Sequence, residues 1–142
     1  MNTEKTEREK TMKYIMLGYS DEKELETMSE SELNAYVDEC FAYDDELRSK
    51  GHLVARGEAL QNSRNAVTLR RKNGKLAVTD GPYAETKEQL GGFCVIEAAD
   101  LNHAIQLMSQ HPCLKAAIVE IRPAEDLTEM IRQSERRRAV AA

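Results

Sequence analysis

The 142-residue sequence contains no tryptophan, two phenylalanines, three prolines and no long apolar run. A membrane-spanning helix needs roughly 18 to 20 predominantly apolar residues, and no segment approaches that length. The N-terminal MNTEKTEREK also lacks the apolar centre of a signal peptide. These absences predict a soluble, cytoplasmic protein with no membrane partner.

Cysteines are few, and their arrangement argues against cross-links. Cys40, Cys94 and Cys113 form an odd set without a CxxC pair, which disfavours both a disulfide framework and a zinc clip. No two histidines on one element have metal-ligand spacing, and the glycine-rich signatures of phosphate-binding loops are missing. The sequence therefore predicts no metal and no cofactor.

The net charge of -5 disfavours a nucleic-acid partner, because such binding draws much of its affinity from clustered Lys and Arg. Two basic clusters are present, at residues 70–72 and 136–138. We interpret them as a solvated strand end and a solvated tail.

The length fits a single domain with one core. We predict a flexible leader over residues 1–11, a folded domain over residues 12–124 and a C-terminal helix and tail over residues 125–142. The run MKYIMLGY, residues 12–19, is apolar on both alternating faces, as expected for a central strand covered on both sides.

A helix is predicted over residues 31–50. Ser29 and Glu32 match a capping box, and the following apolar residues recur with helical spacing until Gly51. By the same spacing, Asp44 lies close to the middle of the apolar stripe.

Two short strands are predicted at residues 53–60 and 66–71, and the second of them opens a β-hairpin whose turn is Asn73-Gly74. The hairpin partner strand covers Lys75 to Thr79. Its Leu76 and Val78 face one way, and Asp80 continues that side by the two-residue repeat.

The second half of the sequence predicts a buried strand over residues 93–98, followed by a helix that Asp100 caps and that ends before Pro112. A strand over residues 116–122 and a tail helix over residues 124–138 complete the chain. This order favours an α+β fold: a ferredoxin-like sandwich with helices on one face of a mostly antiparallel sheet. Because the strands look apolar on both sides, we expect a second subunit to cover the other face, which makes the protein a homodimer.

The segment VTDGPYAETKEQLGGFCVIEAADLNHAIQLMSQHP, residues 78–112, closely resembles the signature of the YCII-related family, in particular its DGPF branch. Tyr83 stands where that branch has phenylalanine. The opening strand, the helix before Gly51 and the final IVEIRP are also similar, so the resemblance covers roughly residues 12–124.

The resemblance implies a dimeric α+β barrel built from ferredoxin-like subunits. Many members pair a histidine of the first long helix with an aspartate corresponding to Asp80; this sequence has the aspartate and lacks a histidine in that helix. Members of the DGPF branch are often encoded beside extracytoplasmic-type sigma factors, which implies a regulatory or accessory role.

Asp80 is the sharpest candidate for chemistry. A carboxylate at the inward end of a strand, shielded by apolar neighbours, can have a raised pKa and act as general acid or base. The alternative is that Asp80 accepts hydrogen bonds from the amides of its own turn, as aspartate commonly does before glycine.

Other residues are candidates for the same predicted site. His52 is the histidine considered for proton transfer, and it reaches Asp80 if the second strand runs beside the fourth; otherwise it is a partly exposed strand-end residue. His111 is interpreted as structural, in the last turn of a helix where its charged form meets the dipole favourably. We predict a substrate pocket lined by Tyr83, Asp44, Tyr14 and Gly81.

Each lining residue also has a structural interpretation. Gly81 shapes the bend, the tyrosines belong to the core with their hydroxyl groups bonded, and the helix stripe is wet at Asp44. If Asp44 is buried, it needs a partner such as Tyr or Arg. The sequence therefore predicts either a cofactor-independent acid–base enzyme for a small molecule or a non-catalytic binding or regulatory dimer.

Overall fold

The computed structural model describes residues 10–141, so residues 1–9 of the predicted leader lie outside the described part. The described residues form six strands and four α-helices in the order β1 (Met12–Ser20), α1 (Glu22–Glu26), α2 (Glu30–Ser49), β2 (Leu53–Ala59), β3 (Val67–Lys72), β4 (Lys75–Asp80), β5 (Gln89–Ala98), α3 (Leu101–Ser109), β6 (Ile118–Pro123) and α4 (Thr128–Ala141). None of the helices described is long and apolar enough to cross a membrane.

Four strands form one antiparallel sheet in the order β2-β5-β1-β6, and β3 and β4 form a separate two-stranded sheet. With β3 and β4 set aside, the order β1-α2-β2-β5-α3-β6 is that of a ferredoxin-like fold. The predicted α+β fold class is confirmed. The hairpin is an insertion between β2 and β5.

The helix starts follow the predicted capping chemistry. The Ser29 hydroxyl accepts a hydrogen bond from the Glu32 amide at 3.2 Å, and the Asp100 carboxylate accepts one from the His103 amide at 2.8 Å. These side chains satisfy amides that have no partner within the first turn of a helix. The short helix α1 was not predicted; its Asp21 cap accepts from the Lys23 amide at 3.0 Å.

The C-terminal helix begins later than the predicted residue 124. The Ala124 amide donates to the Lys13 carbonyl at 2.9 Å, which prolongs the edge of the sheet instead of starting a helix. Asp126 then caps the start of α4: its carboxylate accepts a hydrogen bond from the Thr128 amide at 3.0 Å.

One face of the sheet carries the core. Side chains from β1, β2 and β5 meet Leu47 of α2 and two residues of α3; the buried set is Tyr14, Met16, Leu47, Leu53, Ile96, Ala98, Ala104 and Met108. The opposite face, which we call the free face, carries Ile15, Leu17, Tyr19, Phe93 and Ile118 by strand register. Phe93 and Ile118 are 39% and 59% exposed.

The β3–β4 hairpin turns at Asn73 and Gly74, whose φ angles of 52° and 77° fit the predicted turn. Its register places Leu69 opposite Val78 and Val67 opposite Asp80. Asp80 therefore shares a face with the apolar residues, as the two-residue repeat predicted. We call this the apolar hairpin face; its members Val67, Leu69, Leu76 and Val78 are 57% to 63% exposed.

Two glycines on neighbouring strands allow close backbone approach. Gly92 lies inside β5, which begins earlier than predicted, and a Cβ there would lie 3.0 Å from the Glu58 carbonyl oxygen. Gly57 of β2 has a φ of +69°, and a Cβ there would lie 1.8 Å from the Phe93 carbonyl oxygen. Only glycine fits position 57 without movement of β5.

Candidate functional site

A carboxylate and an imidazole meet beneath the sheet. Asp44 lies on α2, and His111 follows the end of α3; His111 Nε2 is 2.8 Å from Asp44 Oδ1. The side chain of His111 is 8% exposed and that of Asp44 is 22% exposed. The predicted need of Asp44 for a partner is thus met by a histidine, neither Tyr nor Arg.

The hydrogen bonds of His111 fix the position of its ring proton. The Cys113 amide lies 3.0 Å from Nδ1, and because a backbone N–H can only donate, Nδ1 must be the acceptor. The proton of the neutral ring therefore lies on Nε2 and is donated to Asp44. His111 has both nitrogens engaged, so it orients the carboxylate.

The predicted position of His111 within a helix is wrong. Helix α3 ends at Ser109, and His111 is the N-cap of a short 3₁₀ helix, Pro112–Lys115, with Pro112 at its start. A proline suits that position because its missing N–H would have no partner there. Nδ1 of His111 therefore accepts a hydrogen bond from an amide in the first turn of this 3₁₀ helix, and the ring does not interact with the dipole of α3.

Two tyrosines that precede Asp44 on α2 hydrogen-bond α2 to the 3₁₀ helix and to α3. The Tyr36 hydroxyl donates to the Cys113 carbonyl at 3.1 Å, and the Tyr43 hydroxyl donates to the Leu107 carbonyl. Burial is the main cause that raises the pKa of both phenols, so both remain protonated donors at neutral pH.

Asp44 and His111 border a cavity of about 690 Å³ between α2 and the sheet, which we call the dyad cavity. Its walls are mainly apolar and sulfur-bearing side chains with one cation, and its full lining is Met16, Gly18, Cys40, Phe41, Asp44, Arg56, Gly57, Glu58, Ala59, Gly92, Phe93, Cys94, Met108, His111, Cys113 and Val119. An apolar hollow with a few converging polar groups is the usual form of a small-molecule site.

All three cysteines line this cavity as free thiols. Burial raises the pKa of Cys94 to about 11 and that of Cys113 to about 12, and it also raises the pKa of Cys40. The thiolate is the reactive form of cysteine, so these groups are protonated at neutral pH and serve as soft apolar lining. Within residues 10–141 no group of three or more His, Cys, Asp or Glu side chains could hold a metal ion.

Asp80 lies elsewhere. It is exposed at the end of β4 and is not among the residues that line the dyad cavity. Gly81 turns the chain with a φ of +99°, donates to the Ala66 carbonyl at 2.7 Å and accepts from the Thr68 hydroxyl at 2.8 Å. Tyr83 is 79% exposed.

A second cavity of about 620 Å³ adjoins the Asp-Gly-Pro turn. Gly81 and Pro82 line it together with polar side chains, including Glu22 and Arg64. The Glu22 carboxylate accepts hydrogen bonds from the Ser63 amide at 2.7 Å and from the Ser63 hydroxyl. The turn therefore borders a polar hollow that is distinct from the dyad cavity.

The structure of one chain does not bring His52 beside Asp80, because β2 pairs with β5 whereas β4 pairs with β3. The His52 ring instead meets the His103 ring edge-on at 5.0 Å. Tyr14 is buried in the core, with its hydroxyl 3.7 Å from the Met12 sulfur. Of the predicted pocket residues, Asp44 alone lines the dyad cavity.

Sequence reasoning missed His111, which lies 67 residues from Asp44 along the chain. The available signal was Asp44 itself, since a carboxylate within an apolar stripe requires a donor from a facing element. His111 directly precedes Pro112 after a helix, a position at which a polar side chain commonly caps a turn.

Comparison with known proteins identifies a family and a relative. Residues 12–128 match the family described as the YCII-related domain. An uncharacterised protein of Rhizobium meliloti (strain 1021) is 38% identical over 96 residues, which cover 66% of this chain and 75% of that protein.

Proposed function

The chain belongs to the YCII-related family, and from its geometry we propose that it is an acid–base enzyme acting on a small molecule, with Asp44 as the proton-accepting group. One observation carries this proposal: the Asp44 carboxylate is held by a neutral histidine at the wall of the dyad cavity. Oriented carboxylates that reach a substrate proton are common general bases.

The two oxygens of Asp44 have different surroundings. Oδ1 accepts the His111 Nε2 proton at 2.8 Å, whereas Oδ2 has no hydrogen bond to another residue in the described part of the chain. Oδ2 is therefore the atom that takes a substrate proton. The pair of electrons left on the substrate forms an enolate or alkoxide, and the neutral Asp44 carboxyl returns the proton to the product.

His111 is a positioning residue in this scheme. Its Nδ1 is engaged by the Cys113 amide, so it neither meets the substrate nor accepts the proton. Its Nε2–H stabilises the Asp44 carboxylate and fixes the plane of that group relative to the cavity.

The proposal is tested by proton exchange. The protein is incubated in D₂O with a panel of small ketones, aldehydes and 2-oxo acids, and deuterium incorporation into each compound is followed by mass spectrometry. We expect catalysed exchange for at least one compound and its loss in Asp44→Asn, where the amide cannot accept a proton.

Asp45→Asn is the matched control. Asp45 is the next residue on α2, is exposed and pairs with Arg48 at 2.7 Å on the surface. Exchange that is equally fast in Asp44→Asn and wild type overturns the proposal. Binding of panel compounds in the cavity without any exchange also overturns it and favours the non-catalytic binding protein.

We further propose that the protein is a homodimer of the DGPF branch. Support comes from the free face, with exposed Phe93 and Ile118, and from the exposed apolar hairpin face. The Asp80-Gly81-Pro82 turn at the end of β4 supports the branch assignment. Asp80 lies on the apolar hairpin face, so a second copy covering that face would enclose Asp80, and its acid–base role stays a prediction tied to the dimer.

A further inference from the structure

We propose that the dyad cavity binds small molecules that carry one carboxylate, and that the guanidinium of Arg56 holds this group. The inference deepens the proposed function, on whose cavity it rests, by naming the class of substrate. Arg56, on strand β2, lines the same cavity as Asp44.

The register of β2 shows how Arg56 reaches the cavity. Leu53 faces Ile96 and Ala55 faces Val95, so two steps along β2 match one step along β5. This β-bulge reverses the alternation of side chains, which would otherwise turn position 56 toward the free face. Bulges commonly redirect a side chain beside a functional site.

A second irregularity follows at once. Between Ala55 and Glu58, three steps along β2 match the two steps from Val95 to Phe93. Gly57 takes up the extra residue with its positive φ and its close approach to the Phe93 carbonyl. Arg56 therefore lies beside both departures from regular pairing in this edge strand.

Phe41 supports the guanidinium from α2. The Arg56 Cζ atom lies 4.9 Å from the centroid of the Phe41 ring, which is a cation–π contact. Stacking on a ring leaves the N–H edge of a guanidinium available, and that edge matches the two oxygens of a carboxylate. The ion pairs found within residues 10–141 do not include Arg56.

The charge of the cavity favours a monoanion. Three charged residues line the cavity: Arg56 with one positive charge, and Asp44 and Glu58 with one negative charge each. Glu58 pairs with Phe93, so its side chain lies on the free face by strand register. A bound carboxylate is therefore balanced by Arg56, whereas a dianionic phosphate adds repulsion from Asp44. Phe41 and Asp44 are three residues apart on α2 and share one side of the helix. The cation and the proton acceptor thus lie along one wall, with the apolar Met16 and Met108 beside them.

The test measures binding of matched probes. Benzoate, its neutral analogue benzamide and phenyl phosphate are titrated into ¹⁵N-labelled protein, and the amide shifts of Gly57, Cys94 and Cys113 report on the cavity. We expect benzoate to bind about tenfold more tightly than benzamide, since one charge-assisted hydrogen-bond pair accounts for that factor. Phenyl phosphate should bind more weakly than benzoate.

Three variants make the test specific. Arg56→Gln should weaken benzoate binding about tenfold and leave benzamide unchanged, because it removes the charge and keeps a polar side chain of similar reach. Arg48→Gln, at the far end of α2, should alter neither. Asp44→Asn should retain or strengthen benzoate binding while abolishing proton exchange.

The outcomes separate this inference from the proposed function. Benzoate binding that depends on Arg56, without exchange on any compound, retains the carboxylate site and overturns the enzyme. Equal binding of benzoate and benzamide, tighter binding of phenyl phosphate, equal losses in Arg56→Gln and Arg48→Gln, or the absence of benzoate-dependent shifts at the three amides overturns the carboxylate site.

Discussion

The ring of Tyr43 meets the ring of His111 edge-on, with centroids 5.0 Å apart and planes at 71°. The Tyr43 hydroxyl also donates to the Leu107 carbonyl, so one side chain of α2 both packs on the imidazole and holds the end of α3. The orientation of Asp44 therefore depends on how α2 and α3 pack, and it does not depend on a flexible loop.

Replacement of His111 by asparagine separates its two roles. An Asn side-chain oxygen can accept from the Cys113 amide as Nδ1 does, but the shorter side chain cannot donate to Asp44. We expect the free energy of unfolding, measured by urea titration, to fall by about 1–3 kcal/mol because a partly buried carboxylate loses its donor. His111→Ala should lose about 1 kcal/mol more, since the cap is also removed.

The same comparison in an Asp44→Ala background provides the control. Without the carboxylate, His111→Asn should cost much less than it does in the wild type. Equal costs in the two backgrounds would show that the hydrogen bond between Asp44 and His111 contributes nothing to stability.

Alanine at position 57 should disrupt the edge of the sheet. Its Cβ would lie 1.8 Å from the Phe93 carbonyl oxygen at a φ of +69°, so both a clash and backbone strain arise. We expect a loss of about 3 kcal/mol or more in urea titration. Gly51→Ala is the matched control: Gly51 has a φ of +79° but open space around it, so only about 1–2 kcal/mol should be lost. Similar losses in the two variants would show that the close approach is relieved by movement of β5.

The cavity thiols should be slow to alkylate. Because burial raises the pKa of Cys94 to about 11 from an ordinary 9.0, its thiolate fraction at neutral pH is about 100-fold lower than in the unfolded chain. Iodoacetamide labelling followed by mass spectrometry, with and without denaturant, checks this ratio. Labelling of Cys94 at equal rates in both states would contradict its burial.

Stability should also fall at alkaline pH. A native pKa above the unfolded value means that the folded chain binds more protons between pH 9.0 and about 11, so the free energy of unfolding decreases as the pH rises through that window. The stability that the protonated Cys94 thiol contributes below pH 9.0 is lost as the pH rises toward about 11. Cys94→Ala should flatten this decline, and an unchanged slope would assign the effect to other groups.

Charge on the free face should dissociate the proposed dimer. Ile118→Lys places an ammonium group on an apolar surface that a second copy would bury, so light scattering after gel filtration should give half the wild-type mass. Val140→Lys on α4, where Val140 is 88% exposed, is the control and should leave the mass unchanged. A wild-type protein of monomer mass, or an Ile118→Lys variant of dimer mass, would contradict this interface.

Local patterns predicted much of the fold. The Ser29 and Asp100 caps, the Asn73-Gly74 turn and the side of β4 on which Asp80 lies all depend on residues close in sequence, and each was predicted correctly. The bulges of β2 were not predicted, because they arise from the fit of β2 against β5. Their trace in the sequence is only the glycine at position 57.

The site was predicted only in part. The spacing along α2 identified Asp44 as a carboxylate on an apolar stripe, but its partner His111 comes from a distant segment and is placed by tertiary packing. The thiols of Cys94 and Cys113 converge on the same cavity from different elements, which no local spacing encodes. In the proposed dimer the surroundings of Asp80 depend on a second chain, and a pattern within one sequence cannot predict them.

The central position of β1 sets the order in which the chain can fold. Tyr14 pairs with Ile96 on one side and with Pro123 on the other, so both neighbours of the first strand are synthesised long after it. Long-range pairing of this kind slows folding and leaves apolar strand edges uncovered on the nascent chain. Strand β1 cannot complete its pairing until β6 has emerged from the ribosome, and shielding by a chaperone would matter most during that interval.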